Sequence, residues 1–544
     1  MNIKELQKRY AALPQVAQIA KALKGKRATT VSLSGLVASS TPMIFSGLAM
    51  KTSQTILFIM PDADEAGYFY HDLCQVMGVR QQEGGQSPAT DKVLFFPSSY
   101  RRAIKYGQKD PANEILRTEV LTRLRPSPLP LPTGRGDDTS SNEKTADLSD
   151  YSPPCREGAG EGLYIVSYPA AIAEQVVTRK SLDDRTLPLN VGENINVDDI
   201  CETLRDFGFR EVDYVYEPGQ FALRGSILDI YSFSCEYPFR VDFFGDDIDS
   251  IRTFDVENQL SRERRDHIDI VPDLTPGNDS NIQRESLFSF LPDNTILAAK
   301  DFGFVRDSIE ATWKEGFSSQ AMTERLENAT EVEAYQIRQE MQRDSQIISG
   351  AQFAADSERF RRIELRQGNA QQLPSHQGKG AIASICFNTS PQPLFHKNFD
   401  LLTQTFEDYL LKGYKLFVLA DSQKQIERLK DILSERLRVG DQKSGMKSGL
   451  TFEGVDHTLH EGFIDHDLRL CLFTDHQIFD RFHKYNLKSD KARGGKMALT
   501  LKEIQQFEIG DYVVHVDHGV GKFGGLVRMP IQQTLLRPLL RGWN

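Results

Sequence analysis

The sequence predicts a multidomain α/β protein, and three observations carry that prediction. Apolar runs of strand length followed by amphipathic helices recur through the first third of the chain. Between residues 126 and 161 the composition breaks abruptly to Pro, Gly, Ser and charge. Turn signals then divide residues 217–255 into short β-rich runs at near-hairpin spacing. With 544 residues and a 39% hydrophobic content, the chain has material for roughly three or four cores.

TILFIM, residues 55–60, is a buried-strand run, and PDADEAGYFYHDLCQVMG opens a helix behind it. KVLFFP (92–97) is a further strand, and LYIVSYPAAIAEQVV (163–177) repeats the order of strand, turn and helix. Strands joined by crossover helices make a parallel sheet, so residues 1–189 form the first part of an α/β unit. The biased stretch 126–161 is predicted to be a disordered insertion that splits this unit without destroying it. Residues 190–274 read as a compact α+β domain: an amphipathic helix, VDDICETLRDFGF (197–209), precedes strands divided at EPGQ, SCEYP and GDDI. Over 275–390 the α/β unit resumes, with TILAAK (295–300) as a strand and a long helical stretch from 332 to 365. Residues 391–482 alternate strand and helix again, in KLFVLADSQKQIERLKDIL and LRLCLFTDHQIF, as a separate small α/β domain. The basic segment 483–505 reads as a linker or exposed arm. From 506 to 544 the tail opens with QFEIGDYVVHVDHGVGKFGGL, a β-rich run, a turn, and glycines spaced through another strand.

Bulk properties exclude several classes. A net charge of −11 argues against a chain that wraps nucleic acid over most of its surface, which needs clustered Lys and Arg, so protein partners are expected instead. The six cysteines are scattered without a CxxC, which supports neither a disulfide framework nor a zinc site. No N-terminal or internal run has the length and apolarity of a signal peptide or membrane span, so a cytoplasmic protein is expected.

The α+β domain carries the most informative pattern. In RVDFF, side chains alternate across the strand, placing Val241 and Phe243 on one face and Arg240, Asp242 and Phe244 on the other. The second face combines a guanidinium, a carboxylate and a large ring, the composition of a protein-binding hot spot. An ordinary sheet with one half-wet face has the same alternation.

RG-S-ILDI, YPFRVDFFGDDIDSIRTFD and the following ENQLS resemble the segment shared by the excision-repair protein UvrB and the bacterial transcription-repair coupling factors. In that family the segment forms the module that docks on UvrA. The resemblance implies a UvrB-like, degenerate RecA-type α/β domain with an inserted α+β UvrA-binding domain, then the small α/β domain. The tail resembles the start of the CarD-like, SH3/Tudor-type barrel through which coupling factors grip the RNA polymerase β subunit. The order of the two motifs matches coupling factors and not UvrB. The UvrA-gripping positions of the family, two arginines and a phenylalanine, fall on Arg224, Arg240 and Phe244. The polymerase contact falls near Met529, with Leu526 close by, while Gly519, Gly521, Gly524 and Gly525 serve tight turns.

A nucleotide-driven motor needs GxxxxGK[ST] to cradle phosphate and magnesium. None of the four Gly-Lys pairs, at Gly25, Gly378, Gly495 and Gly521, has that context. The stretch comparable to the UvrB phosphate loop, Val31 to Phe45, holds no lysine. The expectation is a scaffold and not an enzyme, binding no cofactor, with the ATP, magnesium and most DNA contacts of the family belonging to a motor beyond residue 544. The alternatives are a UvrB-like or helicase-type ATPase acting on damaged DNA and a standalone CarD-like regulator. A five-stranded barrel needs roughly 60 residues, whereas 39 lie from Gln506 onward, so the barrel is expected to be incomplete and polymerase binding weakened. His457, His460 and His466, like His515 and His518, are read as ordinary loop histidines, not metal ligands.

Overall fold

A computed structural model describes residues 3–24, 30–77, 92–99, 111–125, 162–256, 258–274, 283–317, 347–366, 382–444, 452–482, 512–515 and 519–522. Its largest element is a seven-stranded, all-parallel sheet. Across the sheet the strands run Ile382–Cys386, Thr30–Ser34, Arg361–Arg366, Ile296–Ala299, Ile56–Ile59, Tyr164–Ser167, Val93–Phe95. Ile56–Ile59, Val93–Phe95, Tyr164–Ser167 and Ile296–Ala299 are buried at every position, as expected of a parallel sheet covered on both faces. The strands come from both sides of residues 187–274, so that segment is an insertion between two halves of one sheet.

One expectation fails here. The stretch read as helical from 332 to 365 contains, among its described residues, only the short helix Gly350–Ser357. Residues Arg361–Arg366 form a central strand, paired parallel with Thr30–Ser34 and Ile296–Ala299. RRIELR buries Ile363 and Leu365 with period two, a periodicity that its strong helix formers mask in sequence. The insertion 126–161 and the linker 483–505 lie outside the described residues.

The inserted domain is a six-stranded sheet in the order Ser261–Arg265, Asp247–Phe254, Phe239–Phe244, Ile227–Tyr231, Gln220–Arg224, Arg210–Glu211. The helix Val197–Asp206 packs beneath it, burying Ile200, Cys201 and Leu204 in one cluster with Leu228, Ile230, Val241, Phe243, Ile248 and Ile251. Two of its hairpins are two-residue turns opened by glycine at positive φ, Gly225 at +63° and Gly245 at +64°. Glycine there gives the primed-turn twist that closes such hairpins.

The third body is a five-stranded mixed sheet in the order Thr389–Pro391, Phe463–Asp465, Leu470–Thr474, Lys415–Leu419, Glu453–Val455. Phe417, Leu419, Val455, Leu459, Phe463, Leu470 and Leu472 belong to the same apolar cluster as the parallel sheet, so the two bodies share a core. Polar contacts finish the joint. The buried Asp72 carboxylate accepts from Ser39 Oγ at 2.5 Å and from the His460 amide at 2.7 Å. Glu461 N donates to Ser39 Oγ at 2.9 Å, and the His460 ring stacks on Tyr68 at 3.6 Å between centroids. Near the C-terminus, Tyr512–His515 and Gly519–Lys522 pair as an antiparallel ribbon.

Candidate docking face

Arg224, Arg240 and Phe244 come together on the outer face of the inserted sheet, the side away from the helix. Register explains it. Arg240 stands opposite Asp229, which stands opposite Ala222, while Asp242 pairs Ile227 and Ile227 pairs Arg224. Directly opposed residues point the same way, and alternation along Phe239–Phe244 keeps 240, 242 and 244 on one side. A register shift after Asp242, where Phe243 faces Ile248, puts the extra residue on the neighbouring strand and leaves that alternation intact.

The three residues differ in freedom. Phe244 is 81% exposed at the sheet's end, beside the Gly245 turn. Arg240 is held on several sides: its Nε and Nη2 donate to the two Asp229 carboxylate oxygens at 2.7 and 2.9 Å. Its Nη1 reaches the Gln259 carbonyl at 3.3 Å, and its guanidinium lies 4.3 Å from the Phe254 ring centroid. The hydrogen bonds to Asp229 push the Arg240 pKa further above its ordinary value, against the opposing effect of burial. Arg224 also donates to Asp229, reaches the Asp213 carbonyl at 3.4 Å, and sits 4.7 Å over Tyr214. Alongside, Asp242 takes Arg252 and Ser250.

Asp229 was missed by sequence reasoning. It is fully buried, yet it lies on the outer face and ties both arginines to the sheet. The signal was present in ILDI, where a carboxylate interrupts an apolar strand at a position facing the arginines. Tyr214 and Tyr216, about half exposed in the loop before Gln220–Arg224, were missed as well and widen the aromatic surface beside Arg224. Leu526 and Met529 lie outside the described residues.

The turn after the first strand lies in the stretch 31–45 compared above with a phosphate loop. Gly35 has φ +76°, and a Cβ on it would lie 1.9 Å from the Phe387 carbonyl oxygen. Thr389 Oγ1 donates to the Gly35 carbonyl at 2.7 Å and accepts from Val37 N at 3.2 Å. The chain itself fills this turn. The histidines are engaged separately: His457 with Asp456, His460 on Tyr68, and His466 between Ser390 and Tyr414. No cluster of three or more His, Cys, Asp or Glu suited to a metal occurs among the described residues, and no described helix is long and apolar enough to cross a membrane.

Comparison with known proteins agrees with this layout. Residues 187–275, which bracket the inserted sheet, match the UvrB interaction domain family, and residues 507–536 match the CarD-like/TRCF RID domain. The transcription-repair-coupling factor of Staphylococcus aureus strain USA300 is 26% identical over 421 residues, covering 69% of this chain and 35% of its own length. That of Staphylococcus haemolyticus strain JCSC1435 is 24% identical over 393 residues, covering 64% and 33%. The chain matches the N-terminal portion of the transcription-repair coupling factors. It spans about a third of the length of these curated relatives. The first matched segment holds Arg224, Arg240 and Phe244 on one outward face, and the second includes the ribbon Tyr512–His515 with Gly519–Lys522.

Proposed function

We propose that this chain is a docking scaffold of transcription-coupled nucleotide-excision repair, working in the cytoplasm, that holds UvrA on the outer face of the inserted sheet. Arg224 and Arg240 offer guanidinium donors to acidic groups of UvrA, and Phe244 supplies the apolar area that the partner desolvates. The tail matched to the CarD-like domain engages the RNA polymerase β subunit, with Leu526 and Met529 at the contact. Recruitment follows from holding both partners at once, and this portion has no nucleotide chemistry of its own, consistent with the turn at Gly35 being filled by Phe387 and Thr389.

The observation that carries this reading is the exposure of Phe244 on the same face of the sheet as two ordered arginines, in the segment matched by the UvrB interaction domain. A large exposed ring on one face with arginines has the composition of a binding hot spot. The test is capture of purified UvrA by the chain and by its Phe244→Ala and Arg240→Ala variants. Wild type binds and Phe244→Ala loses binding while melting as wild type does; equal capture by all three would refute the assignment.

A further inference from the structure

Resting on the docking reading above, we infer that Asp229 is the positioning residue of the UvrA-binding face: a buried carboxylate that fixes both arginines and reduces the patch to a single net positive charge. Asp229 contributes −1 and Arg224 and Arg240 +1 each, so the three together carry +1. The carboxylate is fully buried, and its two oxygens are taken by Arg240 Nε and Nη2, with Arg224 sharing the second oxygen. Each guanidinium is also fixed against an aromatic face, Arg240 over Phe254 at 4.3 Å and Arg224 over Tyr214 at 4.7 Å. With Nε and Nη2 turned toward Asp229 and Nη1 toward Gln259, the Arg240 fork is ordered before any partner arrives. Two long cationic side chains thereby lose in the free protein the rotamer freedom that binding would otherwise cost.

A partner with one carboxylate set between the arginines, flanked by apolar surface over Phe244 and Tyr214, fits this face. Broad acidic character does not, because charge alone is not what the arrangement maximises. The two possibilities predict opposite signs for one substitution. Asp229→Asn removes a negative charge beneath the patch and raises the net charge of the trio to +2, so attraction to an acidic partner grows if charge alone decides. If fixed geometry decides, affinity falls.

The experiment measures the dissociation constant of UvrA for wild type, Asp229→Asn, Arg240→Ala and the double variant, at two salt concentrations, with a melting curve for each. Asp229→Asn weakens binding by about tenfold or more. In the Arg240→Ala background the same substitution has a smaller effect, because of the two side chains it positions only Arg224 remains. Arg240→Lys covers the case in which Asp229→Asn fails to fold. Lysine keeps the charge but cannot make the two-pronged contact, so it binds as poorly as Arg240→Ala. Equal or tighter binding by Asp229→Asn, an undiminished effect in the Arg240→Ala background, or full binding by Arg240→Lys overturns the inference. Loss of binding by wild type itself overturns the docking reading instead.

Discussion

Asp72 makes the joint between the parallel sheet and the small mixed sheet sensitive to pH, and the direction follows from its surroundings. Its carboxylate is buried, which pushes its pKa up to about 7 against the lowering effects of Ser39 Oγ–H and the His460 amide; the Glu461 charge adds to the rise. Below about pH 4 the group is protonated in both folded and unfolded chains. Between about 4 and 7 the folded chain holds a proton that the unfolded chain has lost, so stability falls as pH rises through this window and levels off above it. Three units at 1.36 kcal/mol each set the full penalty at roughly 4 kcal/mol. Other titratable groups at the joint include the stacked Tyr68 and His460, Asp465 beside Tyr10, whose carboxyl burial also pushes up, and His476, whose Nε2 lies 2.8 Å from the His460 carbonyl and whose own pKa burial pushes down. Asp72→Asn imitates the protonated acid: its Oδ1 keeps the His460 amide while its Nδ2 donates to Ser39 Oγ. The assay is the difference in melting temperature between Asp72→Asn and wild type from pH 5 to pH 8, which cancels every other titrating group. The variant gains on wild type as pH rises, by several degrees at pH 8. A difference that stays flat or shrinks toward pH 8 would refute the argument.

Three further outcomes follow from particular contacts. Phe244→Ala leaves the melting curve within about 0.5 kcal/mol of wild type because the ring is exposed, while UvrA binding in a titration falls by at least about 2 kcal/mol. Gly35→Ala forces a Cβ against the Phe387 carbonyl at a positive φ, lowering stability by about 2 kcal/mol or more in a denaturant melt; an unchanged midpoint would show that the turn relaxes. Glu174→Ala strips the buried Arg117 of its partner at 3.2 Å, a loss of about 3–5 kcal/mol that a calorimetric scan would register.

What the sequence made legible tracks how local each pattern is. The strands in 55–60, 92–97, the start of 163–177 and 295–300 declared themselves because a parallel strand covered on both faces is an unbroken apolar run, and nothing distant is needed to see it. Alternation in RVDFF likewise fixed which side chains share a face. Arg361–Arg366 failed because its six residues are mostly charged helix formers, and only two neighbours from residues 30–34 and 296–299 make it a strand. Asp72 could not be read at all: it looks like a solvent-facing position in an amphipathic helix until His460, 388 residues away, closes over it.

The docking face shows the same divide within one site. Sequence periodicity assigns Arg240 and Phe244 to a common side, but it treats both as free to reach a partner. Pairing with Ile227–Tyr231 brings Asp229 under Arg240, and the hairpin at Gly225 returns Arg224 to the same carboxylate. The two arginines therefore act as one ordered unit, whereas Phe244 stands alone at the strand's end. Substituting either arginine disturbs the other through Asp229, so effects at Arg224 and Arg240 should be non-additive. Phe244 has no such link, and its contribution should add to theirs. A set of Kd values for the three single and three double variants separates these two behaviours, and additivity between Arg224 and Arg240 would mean that the shared carboxylate does not couple them.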